Sequence, residues 1–454
     1  MASAVARPVS LRAHLAAHAL QRRAVEAAIW GMPIVSVDAM REAFMRDAHA
    51  RYGDIVFWSK PADWRNQTTT PNASSLYVYF NFNTKNGPVV LEVPAALGAG
   101  LFGTLLDAWQ TPLVDVGPKG DDRGKGGKYL LLPPDFKRAA PLGYIQVHCP
   151  TYNGYALLRA IPASSAAADT ENAVGLIKQL RLHPLAAAAN PADQRFIDMT
   201  GKLFDGIVRY DATFYARLAR IVGEEFVQSR DLVAMGLLGS LGIRKGEPFA
   251  PDATTQAVLG AAVAEAHAGF MRTVVDDVDS FWPGSRWGLH SALALAARTG
   301  FSFQTADRLD VDARAPVYFL AYAPAAKLGE ATFYLVATYD GAGGTLNGGN
   351  AYLLHVPANV PAKQFWSVTV YDLETAGFIR ESPRVGVDSY DRKMRRNTDG
   401  SVDVYFGPKA PADHERNWIF TAPGRRWFAM FRFYGPDKPL FDKKWKLADI
   451  AKTS

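Results

Sequence analysis

Cysteine is nearly absent from this chain, since Cys149 is the only one among 454 residues. A single thiol excludes an internal disulfide framework, an iron–sulfur cluster and an all-cysteine zinc site. Long apolar runs are missing as well: none reaches the 18 consecutive residues that a membrane-spanning helix needs. We therefore predict no membrane span.

A strong excess of one charge is also missing, because 50 basic residues face 44 acidic ones and leave a net charge of +6. On a chain of this length, such an excess serves solubility and does not make the basic surface that nucleic acids require. The sequence thus predicts no nucleic-acid partner.

The standard cofactor, metal and nucleophile motifs are absent. We find no GxxxxGK[ST], no strand–GxGxxG–helix unit, no HExxH and no GxSxG. His14 and His18 stand four residues apart on a predicted helix, but no third ligand follows. His148 and Cys149 are adjacent in a predicted strand, so their side chains point to opposite faces and cannot readily pair. The metal and the cofactor are therefore left unknown.

The N-terminus contains arginine and no acid over its first 25 residues, which loosely resembles a transit peptide. Helical apolar spacing after Ser10, an acceptable N-cap, favours folded sequence instead. No apolar core followed by a small-residue cleavage site is present. We therefore predict a cytoplasmic protein.

Two periodicities alternate along the chain. Apolar residues at helical spacing predict helices over 10–30 and 36–48, interrupted at Pro33, and a longer helical region in the middle. Short runs with a period of two, bounded by glycine or proline, predict the strands of a sandwich or barrel; one of these runs covers 315–324. The domains expected are N-terminal helices (1–50), a first β-sandwich (51–165), a helical insert (166–310) and a second β-sandwich (311–454).

The aromatic stretches at 76–94 and 317–340 are similar in composition. We interpret them as the opening strands of two similar sandwiches. The fold class predicted is therefore mainly β with a helical insert.

Ionic residues within apolar, aromatic sequence are the best candidates for chemistry. A buried charge needs a partner, and an ion pair between aspartate and arginine compensates it at the lowest energetic cost. Asp107 and Asp372 are the acid/base candidates, and Arg432 is the candidate partner of an anion or oxyanion. Such pairing can also be purely structural.

Polar and aromatic residues at strand ends suit the wall of a pocket between sheets, although they are also common turn formers and edge caps. A wall of this kind binds apolar or sugar-like groups. The candidates for substrate binding are Asn72, Ser74, Tyr77, Trp109, Tyr371, Asn417, Trp418 and Tyr434.

Several of these stretches resemble a bacterial and viral family that joins two domains of unknown function, numbered 1254 and 1214. The resemblance covers nearly the whole chain and includes TTTPNASSLYVYFNFN, LLDAWQTPLVDVG, FWSVTVYD and NWIFTAPGRRWFAMFRFYGP. It implies two β-sandwich domains of jelly-roll type joined by helices, and it carries no established reaction. The family usually has N-x-D-T-L-Y where this chain has Asn72 to Tyr77, so that Ser74 replaces an aspartate. Any chemistry of that aspartate is lost here or falls to a serine hydroxyl.

Three functions remain open. The first is an enzyme of hydrolase or lyase type that acts on a small, partly apolar molecule in a cleft between the two sandwiches. The second is a protein that binds a carbohydrate or a lipophilic ligand without turnover. The third is a structural or assembly protein that forms homo-oligomers, as jelly rolls readily do. The enzyme hypothesis predicts that Asp107, Asp372 and Arg432 converge on one hollow.

Overall fold

The computed structural model describes residues 11–164, 166–326 and 332–453, and helices and strands each make up about 27% of the chain. The predicted β-sheets are therefore present, but the prediction of a mainly β chain underestimates the helical content. The helices are α1 (Leu11–Arg46), α2 (Ala167–Ile177), α3 (Thr213–Glu224), α4 (Leu232–Ser240), α5 (Ala253–Asp276), α6 (Ala292–Arg298), α7 (Val311–Leu320) and α8 (Lys438–Phe441).

Helix α1 runs through Pro33 without a break, so the prediction of two helices is wrong. Proline lacks the amide that a helix interior uses and perturbs the preceding turn. Here the carbonyl of Trp30 accepts a hydrogen bond from Arg314 Nη2 at 2.6 Å, and the carbonyl of Pro33 accepts one from Gln110 Nε2 at 3.0 Å. These outside donors, together with burial of this stretch of the helix, keep α1 continuous.

The first sandwich packs a six-stranded sheet against a four-stranded sheet, with Val78 and Leu158 from one sheet and Leu91 and Leu131 from the other in a single core. The six-stranded sheet has the order Phe196–Asp198 (β11), Ile55–Phe57 (β1), Leu76–Asn83 (β3), Asn153–Pro162 (β9), Ala99–Asp107 (β5) and Pro112–Val116 (β6). The four-stranded sheet has the order Arg181–Pro184 (β10), Val89–Val93 (β4), Gly127–Leu132 (β7) and Ile145–His148 (β8). A separate short pair joins Asn66–Gln67 (β2) to Phe204–Asp205 (β12).

The second sandwich has the same composition of sheets, and its core joins Val368 and Phe431 to Leu354 and Val404. The six-stranded sheet has the order Val278–Ser280 (β13), Gly288–His290 (β14), Thr332–Ala337 (β15), Trp427–Pro436 (β21), Ala362–Asp372 (β17) and Gly386–Asp388 (β18). The four-stranded sheet has the order Trp418–Phe420 (β20), Val402–Gly407 (β19), Tyr352–Val356 (β16) and Ala451–Lys452 (β22).

The two sandwiches share one topology over seven consecutive strands. The order β3-β9-β5-β6 in the first matches β15-β21-β17-β18 in the second, and β4-β7-β8 matches β16-β19-β20. The parallel pair β7–β8 also has its counterpart in β19–β20. The chain therefore contains a repeated seven-strand unit, whereas a jelly-roll strand order stays a prediction.

The strand predicted over 315–324 is wrong, because most of this stretch belongs to helix α7. Residues 314–319 are all buried, so the helix shows no polar face that would reveal its period. The predicted helical insert also supplies strands: β10 and β11 join the first sandwich, and β13 and β14 join the second. The division into four domains stays a prediction.

Among the described helices, α5 is the one with the length and apolar composition to cross a membrane. Its residues Leu259, Val263 and Ala266 are buried in one cluster with Ala24 and Ala28 of α1. One side of α5 therefore packs into this cluster, and 39% of its most apolar 18-residue window is buried.

The close approach of strands β3, β9 and β5 gives a test of this packing. A Cβ atom at Gly154 would lie 2.2 Å from Cζ of Phe82 and 2.6 Å from the carbonyl oxygen of Leu106. We expect Gly154→Ala to lower the free energy of unfolding by about 1–3 kcal/mol, measured by chemical denaturation. Gly260→Ala in α5, where nothing lies within 4 Å, is the control and should be neutral or stabilising. Equal stability of the two variants would contradict this register.

Candidate functional site

Residues Thr70–Ser75, which we call the linking segment, lead into β3 of the first sandwich but bond to the second. The amide of Asn72 donates from Nδ2 to the hydroxyl of Tyr434 at 2.5 Å, and the carbonyl of Pro71 accepts from the hydroxyl of Tyr371 at 2.7 Å. Thr70 has a φ of +39°, a strained value for a β-branched residue. The segment is thus held in place by side chains of the other sandwich.

Arg432 lies at the centre of these contacts and is only 2% exposed. Its guanidinium donates to the hydroxyl of Tyr371 at 2.5 Å, to Thr369 Oγ1 at 2.9 Å and to the carbonyl of Thr70 at 3.3 Å. It also lies over the rings of Tyr334 and Tyr371, at 5.2 and 5.5 Å from their centroids. None of these described partners is a carboxylate.

The first sandwich contributes a matching pair. Tyr77 of β3 stands opposite Arg159 of β9, as Tyr334 of β15 stands opposite Arg432 of β21. The guanidinium of Arg159 lies 5.7 Å from the ring centroid of Tyr77 and also interacts with Tyr334 of the second sandwich. The repeated unit therefore places one Tyr–Arg pair in each sandwich, and the two pairs meet.

We call this assembly the Tyr–Arg cluster; it consists of Tyr77, Arg159, Tyr334, Tyr371, Arg432 and Tyr434. Within the described part of the chain, neither guanidinium forms an ion pair with a carboxylate. Buried cations are normally paired, so an uncompensated pair of them favours an anion. Arg159 and Tyr334 are partly exposed, which leaves one side of the cluster open to solvent.

The electrostatics of the cluster act most strongly on Tyr334. Burial by itself raises the pKa of a phenol. At Tyr334 the guanidinium groups of Arg159 and Arg432 outweigh burial and lower the pKa below its usual value. At Tyr434, by contrast, burial dominates and raises the pKa. The phenols of the cluster therefore differ in how readily they lose a proton.

A carboxylate lies beside the cluster on the same face of the sheet. Asp388 of β18 is opposite Ser367, which is opposite Arg432, so the three side chains form one row across the strands. Two strand spacings place Asp388 about 10 Å from Arg432. Its Oδ2 accepts a hydrogen bond from Ser74 Oγ at 3.2 Å, and burial raises its pKa. Ser367 Oγ is buried without a hydrogen-bond partner in the described structure.

Asp107 and Asp372 lie elsewhere. Asp107 on β5 is opposite Gly154 on β9. Gly154 is five residues before Arg159, which separates the two positions by about 16 Å along the strand. Its Oδ1 accepts hydrogen bonds from the amides of Trp109 and Thr111, each at 2.8 Å. The carboxylate therefore holds a turn in the first sandwich, and the predicted convergence fails for it.

Asp372 repeats this arrangement in the second sandwich. It pairs with Trp427, five residues before Arg432, and its Oδ2 accepts from Arg425 Nε at 2.7 Å. Its Oδ1 accepts from the amide of Glu374 at 3.0 Å. Asp372 is thus a turn-forming residue with its own ion pair, outside the Tyr–Arg cluster.

Three more predicted binding residues lie outside the cluster. Asn417 Nδ2 donates to the carbonyls of Arg395 and Asp403, and Trp418 Nε1 donates to the carbonyl of Gly407. Trp109 packs edge-on against Trp30, at 4.7 Å between centroids, and under the guanidinium of Arg314. The structure therefore brings together Arg432, Asn72, Ser74, Tyr77, Tyr371 and Tyr434 from the predicted set.

Sequence reasoning missed Arg159, Tyr334 and Asp388. A signal for Arg159 does exist: β9 and β21 are both apolar strands that contain one arginine and end in proline. Comparing ALLRAIP with MFRFYGP places Arg159 three residues and Arg432 four residues before the closing proline, so the two positions agree to within one residue. No comparable signal marks Asp388, because its place depends on the pairing of β18 with β17.

A groove of about 1490 Å³ opens in the first half of the chain, and none of the predicted site residues lines it. Its central cation, Arg41, is paired with Asp38 and Glu224. Lys85, Lys137 and Arg138 line the groove as well. Among the residues that the structure describes, no group of three or more His, Cys, Asp or Glu side chains is placed to hold a metal.

Two family models match the chain in tandem. "Protein of unknown function (DUF1254)" matches residues 53–184, and "Protein of unknown function (DUF1214)" matches residues 331–438. The chain belongs to this tandem family. The first model ends with β10 of the first sandwich, and the second covers β15 to β21, which form the repeated unit of the second sandwich.

Two solved structures match the chain over most of its length. The VPA0106 protein from Vibrio parahaemolyticus matches with a TM-score of 0.56 and 16% identity, over 96% of this chain and 100% of that one. A protein from Burkholderia cenocepacia matches with a TM-score of 0.43 and 14% identity, over 97% and 95%. No curated protein matches the chain. The likeness to the Vibrio protein supports the architecture alone.

The turn at Asp107 gives a test of its burial. Burial raises the pKa of Asp107 to about 7 from an ordinary value of 3.8, against hydrogen bonds from the amides of Thr111 and Trp109. The folded state therefore holds this proton more tightly, and the stability it adds at low pH is lost as the pH rises through about 7. Asp107→Asn should remove this part of the pH dependence, measured by urea denaturation from pH 4 to pH 8.

Asp340→Asn is the matched control, because Asp340 Oδ1 holds a similar turn through the amides of Ala342 and Gly344. If the free energy of unfolding of Asp107→Asn changes with pH in the same way as that of the wild type, the raised pKa of Asp107 is contradicted.

Cys149 gives a second test. The side chain is 2% exposed, and burial raises the pKa of its thiol well above the usual range. We expect the native protein to react with a thiol reagent at pH 8 at least about a hundredfold more slowly than the urea-unfolded chain, because the thiolate is the reactive form. Equal rates in the two states would show an accessible thiol.

Proposed function

We propose that the chain is an enzyme that binds a small, partly apolar organic acid between its two sandwiches, with the carboxylate held by Arg159 and Arg432. The observation that carries this proposal is the meeting of two guanidinium groups whose described partners include no carboxylate. A planar carboxylate accepts two parallel hydrogen bonds from a guanidinium, so an organic acid matches these donors in charge and shape.

The walls of the site support a partly apolar ligand. The rings of Phe365 and Tyr434 stack at 3.8 Å between centroids, and Tyr390 stacks on Phe365 at 4.3 Å. Tyr390 is 50% exposed, so this aromatic stack reaches from the surface to the cluster. Aromatic walls around a few charged groups are typical of sites for small molecules.

The type of reaction follows from the groups beside the anion site. A phenol with a lowered pKa and a partly buried carboxylate, Asp388, are both able to transfer protons. Lyase chemistry needs such proton transfer next to a carboxylate, and hydrolysis needs a positioned water as well. The arrangement favours a lyase. A jelly-roll origin, a cytoplasmic location and homo-oligomer formation stay predictions.

Binding of small carboxylates tests the proposal. We expect benzoate or phenylacetate to bind the wild-type chain in isothermal titration calorimetry, and the neutral benzamide and phenylacetamide to bind at least tenfold more weakly. Arg159→Gln and Arg432→Gln should each weaken carboxylate binding by at least about tenfold, since a hydrogen bond to a charged group contributes about 1.5–3 kcal/mol.

The control is Arg426→Gln, which removes an exposed arginine of the same sandwich that pairs with Glu374. It should bind as the wild type does. Carboxylate binding that survives Arg159→Gln unchanged would refute the proposed site. Binding that depends on both arginines, but with no turnover in an acid library, would favour the ligand-binding alternative.

A further inference from the structure

Tyr334 differs from the other phenols of the Tyr–Arg cluster in what surrounds it. The hydroxyls of Tyr77, Tyr371 and Tyr434 all bond to the linking segment: two accept from Asn72, and that of Tyr371 donates to Pro71. They therefore serve to hold the two sandwiches together. Tyr334 shares the guanidinium groups of Arg432 and Arg159 as charged neighbours with Tyr434, but the described partners of its own hydroxyl are Thr332 and Arg159, outside the linking segment.

Tyr334 is also accessible. It is partly exposed, whereas Tyr77, Tyr371 and Tyr434 are at most 7% exposed. A carboxylate held between the two arginines would therefore lie beside its hydroxyl. Among the phenols of the cluster, Tyr334 combines contact with the anion site and contact with solvent.

We propose that Tyr334 is the proton-accepting group of this site, and that the substrate is a carboxylic acid with a C–H bond next to a carbonyl group. This inference rests on the proposed function, because the two arginines must first hold the carboxylate. It names the residue and the class of substrate that the proposed function leaves open.

The proton transfer is balanced within the site. The phenolate oxygen of Tyr334 takes the proton from carbon, the C–H electron pair becomes the C=C bond of an enolate, and the carbonyl π electrons move to its oxygen. The guanidinium groups of Arg159 and Arg432 stabilise that oxygen anion by charge. Return of a proton from Tyr334 restores the substrate, and departure of a group from the β carbon would complete an elimination.

The charges that face Tyr334 favour this role, because two guanidinium groups stabilise its phenolate. A phenol with its usual pKa is almost fully protonated below pH 9 and is a poor base. The lowered pKa of Tyr334 raises the fraction of phenolate available. The groups around it are Arg159 on β9, Arg432 and the phenol of Tyr434 on β21, and Thr332 on its own strand.

Deuterium exchange in phenylpyruvate provides the test. This compound is a small, partly apolar acid whose C3–H bonds lie next to a carbonyl. In D2O the wild-type chain should accelerate exchange at C3 in proportion to its concentration, followed by proton NMR. Tyr334→Phe should lower the enzyme-dependent rate by at least about a hundredfold, while calorimetry should show phenylpyruvate binding within about threefold of wild type.

Tyr339→Phe is the control, since this phenol follows the same strand but bonds to Asp276 and lies outside the cluster. It should exchange as the wild type does. The wild-type rate should rise with pH and level off below pH 10, which a purely structural role of Tyr334 would not produce.

The outcomes separate the two proposals. Failure of phenylpyruvate, benzoate and phenylacetate to bind the wild-type chain would refute the proposed function. Binding with no accelerated exchange, or exchange that Tyr334→Phe leaves unchanged, would overturn the role of Tyr334 alone. Should Tyr334→Phe not fold, the wild-type pH profile decides, and a rate that keeps rising beyond pH 10 overturns the proposal.

Discussion

The fold depends on the placement of one buried cation. Arg432 is taken out of water without a carboxylate beside it, and an isolated charge in such a place is very costly. Two side-chain hydroxyls and a backbone carbonyl accept its hydrogen bonds, and two aromatic rings face it. The carbonyl belongs to Thr70, in the other sandwich. The docking of the two sandwiches therefore contributes to the solvation of this guanidinium, and the position of the linking segment is coupled to its charge.

The repeated seven-strand unit explains why the cluster has two arginines. In each unit the first strand supplies a tyrosine and the last strand supplies an arginine in the opposite register position. The rest of each six-stranded sheet behaves as expected for a sheet between two layers. In each sandwich, one face of the six-stranded sheet packs into the core that it shares with the four-stranded sheet. In the second sandwich, the other face packs against helices α5, α6 and α7. The anion site thus results from an architectural repeat, and its charge comes equally from both halves.

Much of the architecture was predictable, because short apolar and aromatic runs with glycine or proline at their ends indicate strands even where almost every residue is buried, as in β3 and β21. The strands β9, β15 and β17 follow from runs of the same kind. Helix α7 did not, since a helix buried on all sides has no polar face, and its apolar aromatic sequence reads like a strand. For the site, aromatic strand ends indicated Tyr77, Tyr371 and Tyr434, which the structure places in one cluster, while their role in binding stays a prediction. The same reasoning chose Asp107 and Asp372, because an aspartate that closes a turn and one that faces a ligand have similar sequence surroundings. Only the strand register separates them.

The repeat has a consequence for how the two halves vary. Two copies of a single unit, encoded by one sequence, would necessarily form a symmetric site, because any substitution would occur in both copies. Joined in a single polypeptide, the halves are free to diverge while each retains its tyrosine and arginine. Each arginine has a tyrosine opposite it on one neighbouring strand and a different residue opposite it on the other neighbouring strand. That second position differs between the halves: it is Phe102 on β5 in the first and Ser367 on β17 in the second. The strand beside one arginine thus presents an apolar ring and the strand beside the other a hydroxyl, so the two halves of the Tyr–Arg cluster are chemically unlike.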